Sequence, residues 1–88
     1  MKYFFYKMRD INRLAEVFKE KDVYNRDIAK HLNKSEETVS RWVNNHRQPS
    51  VNDLNEIAEF LRVDIRELLY PSDWSSSQIK GFKVKNNA

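Results

Sequence analysis

Cysteine is absent from this chain of 88 residues, so neither a disulfide framework nor a thiolate metal site is available, which fits a reducing, cytoplasmic setting. Glycine occurs once and proline twice, and 33% of residues are charged. That composition favours a helical globular protein over a loop-rich or disordered one, and its length allows one domain with one modest core. No apolar run approaches the ~20 residues that cross a bilayer, and neither a secretory signal nor a membrane partner is expected. Also missing are a glycine-rich phosphate loop, a nucleophile elbow and an inward-facing acid pair. An enzyme is therefore not expected, nor a cofactor, nor a small-molecule substrate. His31 and His46 are the two histidines. They lack the H-x-x-x-H spacing and the cysteine partners that a metal site uses, so surface or capping roles are expected and no metal.

What is present concentrates between Asn25 and Pro49, NRDIAKHLNKSEETVSRWVNNHRQP. Ile28, Ala29 and Leu32 share one face of a helix, and Val39, Trp42 and Val43 share one face of another further on. Two apolar faces so close in sequence pack on each other, with Trp42 in the core. Between them, Asn33 tolerates the left-handed backbone of a helix exit and Ser35 can accept the first free N–H groups of the next helix. The second helix then starts at about Glu36. Its outward face carries Glu36, Glu37, Ser40, Arg41, Asn44 and Asn45, all hydrogen-bonding residues.

These residues carry a resemblance. Ile28-Ala29, the run from Ser35 to Trp42, Pro49-Ser50, and the series Val51, Leu54, Ile57-Ala58, Leu61, Val63, Leu68-Leu69 make residues 9–70 similar to the lambda-repressor-like helix-turn-helix domain of the phage-repressor/Cro (XRE) class. The resemblance implies an all-α, compact five-helix bundle that binds double-stranded DNA, with Glu36, Glu37 and Arg41, and Ser40 beside them, at the base-reading positions. It places Asn25, Arg26, Lys34, Thr38, Asn44 and Arg47 where relatives touch phosphates, and Leu68, Leu69 and Tyr70 at a dimer contact. Where many relatives pair an arginine late in the first helix with a glutamate late in the recognition helix, this chain has Phe18 and Val43. An apolar contact there replaces a buried ion pair at little net cost.

The remaining segments follow from periodicity and caps. Residues 1–8, MKYFFYKM, form an N-terminal extension open to three readings: a short strand, an oligomer contact, or a simple extension. Asp10 caps a first helix whose inner stripe is Ile11, Leu14, Ala15 and Phe18 and which ends near Lys21-Asp22. Tyr24 is a poor cap for the second helix. Ser50 and Asp53 form a capping box for a fourth helix with Val51, Leu54, Ile57, Ala58 and Leu61 inward. Asp64 and Glu67 repeat that signal for a short fifth helix, Ile65 to about Leu69, stopped by Pro71. The domain spans residues 9–71. The tail, residues 72–88, is rich in Ser, Lys and Asn and reads as loosely ordered, weakly β, or a basic arm.

Charge is divided along the chain. In residues 25–49 five cations outnumber three anions, and in residues 50–71 two cations face five anions, an asymmetry that would orient the domain on a polyanion. The expected function is a transcriptional regulator, a repressor, binding an inverted-repeat operator as a homodimer through a recognition helix at about 36–45. The competing expectation is a protein-interaction module on the same fold, antitoxin-like or otherwise inhibitory toward a protein partner. The acidic pair Glu36-Glu37 and the spare aromatics at both ends favour it. RNA binding ranks third, for want of an aromatic platform on a sheet.

Overall fold

Four helices and one 3₁₀ turn succeed one another in the computed structural model, which describes residues 10–75. They are α1 (Leu14–Lys21), α2 (Asn25–Leu32), α3 (Glu36–Val43), α4 (Val51–Leu61) and the 3₁₀ turn Ile65–Leu68. The readings made for residues 1–8 and for the tail beyond Ser75 lie outside the described residues.

A chain with a single glycine still has to end its helices. Asp22, Asn33 and Arg62 take the left-handed conformation, at φ 58°, 57° and 60°, directly after α1, α2 and α4. At each exit the next N–H reaches back to a carbonyl inside the helix: Val23 to Phe18 at 3.0 Å, Lys34 to Ala29 at 2.8 Å, Val63 to Ala58 at 3.0 Å. Asn33 turns the chain as expected. The starts differ more. Ser50 and Asp53 form the expected capping box on α4. The Tyr24 ring caps nothing; instead Asp27 accepts from the Tyr24 N–H at 2.8 Å and secures α2 from inside its first turn.

The core joins Leu14, Val17 and Phe18 of α1 to Ile28, Ala29 and Leu32 of α2, Val39 and Trp42 of α3, Leu54, Ile57, Ala58 and Leu61 of α4, and Leu68. Burying each larger side chain contributes roughly 1.5–3 kcal/mol, so this cluster is the main reason that helices of 8 to 11 residues persist. Phe18 is buried and Val43 half-buried, and both line one depression, in keeping with an apolar contact between them.

Three sequence expectations need correction. The first helix begins at Leu14 rather than after Asp10, because residues 11–13 run against the segment after the 3₁₀ turn. Arg13 N–H donates to the Leu68 carbonyl at 2.9 Å and Tyr70 N–H to the Ile11 carbonyl at 3.0 Å. The buried stripe of α1 is therefore Leu14, Val17 and Phe18, while Ile11 is 50% exposed and Ala15 faces solvent. Val51 is the first residue of α4 and lies outside the core, 74% exposed. The fifth helix is a single 3₁₀ turn. Asp64 accepts from the Arg66 N–H at 2.8 Å to start it, and Leu69 is already extended.

Candidate nucleic-acid interface

Two short helices and one turn position the site. Ser35 ends the turn with its Oγ accepting from the Thr38 N–H at 3.0 Å, and so sets the first residues of α3. Val39 and Trp42, 0% and 5% exposed, anchor the inner side of α3 in the core against α1 and α2. Once that side is buried, the 3.6-residue period leaves Glu36, Glu37 and Arg41 in solvent, with Ser40 half-buried beside them. The four side chains expected to read bases thus share one accessible surface of α3.

Three of the four carry internal bonds. Arg41 Nη2 donates to Glu37 Oε2 at 2.7 Å, one turn away. Ser40 Oγ accepts from Asn44 Nδ2 at 3.4 Å, a long contact. An exposed pair such as Glu37–Arg41 stabilises a helix by only about 0.3–0.5 kcal/mol, so its presence says more about side-chain placement than about stability. Glu36 stands at the helix start, where the dipole favours an acid.

Cations flank this surface on both sides. Arg26, Lys30 and Lys34 line one depression together with the acids Asp27 and Glu36. Thr38, Arg41 and Arg47 line another, on the opposite flank of α3, together with Asp53. Arg26 is held with its guanidinium over the Tyr24 ring, 4.7 Å from the centroid. Asn25 is half-buried at the start of α2, and Asn44 is exposed at the end of α3. Thr38 is half-buried, its Oγ1 accepting from Ser35 Oγ at 2.9 Å. The geometry brings Arg26 and Lys34 beside Glu36 at the start of α3 and Arg47 beside Thr38 and Arg41 on its other flank, with Asn25 and Asn44 at the margins.

Asn45 does not belong to the outward face assigned to it from periodicity. Its φ is 60°, which turns the chain out of the helix. Its Oδ1 then accepts from the N–H groups of Ile11 and Asn12, both at 2.9 Å, and from Gln48 Nε2 at 3.1 Å. Sequence reasoning also passed over Asn12. It is 1% exposed and donates to the Trp42 carbonyl and to Gln48 Oε1, both at 2.8 Å, while accepting from Leu14 N–H at 3.0 Å. An asparagine two residues before a helix carries a local capping signal. Its partners thirty and thirty-six residues away carry none.

The residues expected at a dimer contact fare unequally. Leu68 is 0% exposed and belongs to the chain's own core, so it has no surface to offer a second copy. Leu69 packs against the core, half-buried, and Tyr70 is half-buried with its hydroxyl donating to Glu16 Oε2 at 2.5 Å. That bond, followed by the Arg13 guanidinium, holds the Glu16 carboxyl below its ordinary range. The same carboxylate pushes the Tyr70 phenol up. His31 and His46 are both exposed, His31 stacking on Phe60 at 4.3 Å between ring centres. Among the described residues no group of acids and histidines could hold a metal ion, and no helix is long and apolar enough to cross a membrane.

Among known proteins, no curated sequence matches the chain, but solved structures do. A candidate DNA-binding protein from Bacteroides fragilis is 45% identical and superposes with a TM-score of 0.67 over 68% of this chain and 97% of its own. A transcriptional regulator from Listeria innocua, 23% identical, shares the fold with a TM-score of 0.62 over 77% of this chain and 68% of its own. The helix-turn-helix family pattern matches residues 14–68, which run from the first residue of α1 to the last of the 3₁₀ turn. With more than half its length inside that match, the chain belongs to the lambda-repressor-like helix-turn-helix family.

Proposed function

We propose that this protein is a sequence-specific DNA-binding transcriptional regulator that inserts the N-terminal half of α3 into the major groove. One observation carries the reading: a fully polar face on α3, bounded on both flanks by cations from α2, the turn and the loop after α3. A helix of this width fits the major groove of B-DNA, where its first residues approach the base edges. Arg41 donates to guanine O6 and N7, while Glu36, Glu37 and Ser40 present acceptors. Arg26, Lys34 and Arg47, with Asn25, Thr38 and Asn44, contact phosphates and fix the register. The DNA-binding assignment attached to the relative from Bacteroides fragilis, at 45% identity, supports this reading.

The protein acts as a repressor by covering a promoter, and two copies bind together. The dimer contact is the surface around Tyr70, which lines a groove with Ile11 and Trp74, and the half-buried Leu69 beside it. Two copies present their recognition helices about one helical turn, roughly 34–36 Å, apart, and so select an inverted repeat. Selection of bound sequences from a random duplex pool tests this. A two-fold symmetric consensus is the expected product; pools that stay random after repeated rounds contradict sequence-specific binding and leave a protein partner as the better reading.

A further inference from the structure

Glu37 is an acid on a helix face turned toward a polyanion, and its geometry accounts for that. Arg41 Nη2 donates to Glu37 Oε2 at 2.7 Å, with the two side chains 50% and 74% exposed. Neither side chain bonds any other group among the described residues. The pair uses one N–H of the guanidinium and one oxygen of the carboxylate. Nη1 and the second Nη2 hydrogen remain as an edge that matches guanine O6 and N7, and Oε1 remains to accept from a cytosine N4 amine. Side chains on a helix lean toward its N-terminus, the end nearest the bases. Glu37, one turn closer to that end, therefore holds Arg41 toward the bases and away from the flanking phosphates.

Resting on the DNA-reading role of α3, we infer that Glu37 is a positioning residue for Arg41 and that the two enter the major groove as one net-neutral unit. Arg41 donates to a guanine while Glu37 keeps the guanidinium in place and accepts from a neighbouring cytosine. The preferred ligand is duplex DNA with guanine and cytosine at adjacent positions of each half-site. A lone arginine here would follow any phosphate within reach, and a lone glutamate would be repelled by all of them. Joined, they add little to sequence-independent attraction, which is left to Arg26, Lys34 and Arg47, and they contribute discrimination instead.

The test uses the full chain and the duplex selected by the wild type, with a scrambled duplex as control. Glu37→Gln keeps the size of an exposed side chain and removes its charge. The expected result is a site-to-scramble affinity ratio about tenfold lower, as the scramble binds several-fold tighter and with a salt slope steeper by about 0.9. A repeat selection with this variant loses its guanine preference at one position of each half-site. On an Arg41→Ala background, Glu37→Gln leaves the ratio unchanged, because an amide oxygen still accepts from the cytosine N4 amine and the rest of the effect runs through Arg41. A role in folding alone would not move base preference. Equal tightening on both duplexes with an unchanged consensus overturns the inference and reduces Glu37 to bulk charge. A wild-type selection without any consensus overturns the reading of α3 itself.

Discussion

The Asn45 side chain closes a two-way bond on the backbone of Asn12: Oδ1 accepts from the Asn12 N–H at 2.9 Å, and Nδ2 donates to the Asn12 carbonyl at 3.0 Å. Asn12 answers from its own side chain, donating to the Trp42 carbonyl at 2.8 Å. The exit of α3 is thereby fastened to the entrance of α1. The orientation of α3 depends on this knot as well as on Val39 and Trp42, because an amphipathic helix of eight residues can roll on its apolar side unless an end is held.

Asn12→Asp keeps the shape of the knot and reverses the hydrogen-bonding character of one atom. The Trp42 carbonyl then loses its donor in a buried setting, where an unmet polar group costs about 1–3 kcal/mol and a nearby charge more. Denaturant unfolding of Asn12→Asp and Asn12→Ala should both show losses of at least about 2 kcal/mol, the aspartate being no milder than the alanine. A neutral Asn12→Asp would mean that the knot contributes nothing to stability.

Arg62 offers the opposite sign. It is exposed, sits at φ 60° after α4, and its side chain makes no bond among the described residues. A non-glycine residue pays a steric cost in that conformation, partly offset by the greater freedom of glycine in the unfolded chain. Arg62→Gly should therefore raise stability by roughly 0.5–1 kcal/mol, read as a shift in the urea midpoint at constant slope.

Two links make stability depend on pH in opposite directions. The Asp64 carboxyl is lowered from 3.8 to about 2 by the Arg66 guanidinium and the Arg66 N–H. Its contribution is present above pH 3.8 and lost as pH falls toward 2. The Tyr70 phenol is raised above 10.0 by the Glu16 carboxylate, so its contribution is full below pH 10.0 and lost as pH rises through the folded value. Tyr70→Phe should flatten the alkaline limb of a stability-against-pH profile and remove the part of the acid limb that Glu16 owes to the Tyr70 hydroxyl, while the part due to Asp64 stays in place. An unchanged alkaline limb would show that Tyr70 does not couple to folding.

Much of this architecture was legible in the chain. Ser35, Ser50 with Asp53, and Asn33 announce helix boundaries through bonds to residues two to four positions away, and Trp42 declares itself core by its spacing from Val39. These signals are local. Asn12 went unread, and Asn45 and the start of α1 were misread, because their partners lie about thirty or more residues distant and because pairing with the Leu68–Tyr70 segment overrides a helical pattern at Ile11. Leu68 was misplaced for a related reason. Apolar spacing in a short final segment does not show whether the segment covers its own core or another copy. On α3 the outward residues could be listed in order, but the Glu37–Arg41 bond depends on rotamers, which sequence does not fix.

Cations on the flanks should act without regard to sequence. Lys34→Ala is expected to weaken binding to the selected and the scrambled duplex by the same factor and to lower the salt slope of both by about 0.9. A loss confined to the selected duplex would move Lys34 from phosphate to base contact.

The most direct test of the account is titration of wild type and Arg41→Ala against the selected and the scrambled duplex at one salt concentration. A lost guanine contact is worth about 1–3 kcal/mol, so the site-to-scramble affinity ratio of the variant should fall roughly 5- to 150-fold, with only a several-fold loss on the scramble from the unpaired Glu37 charge. Equal affinity of wild type and variant for the selected duplex, or an equal loss on both duplexes, would contradict base reading by α3.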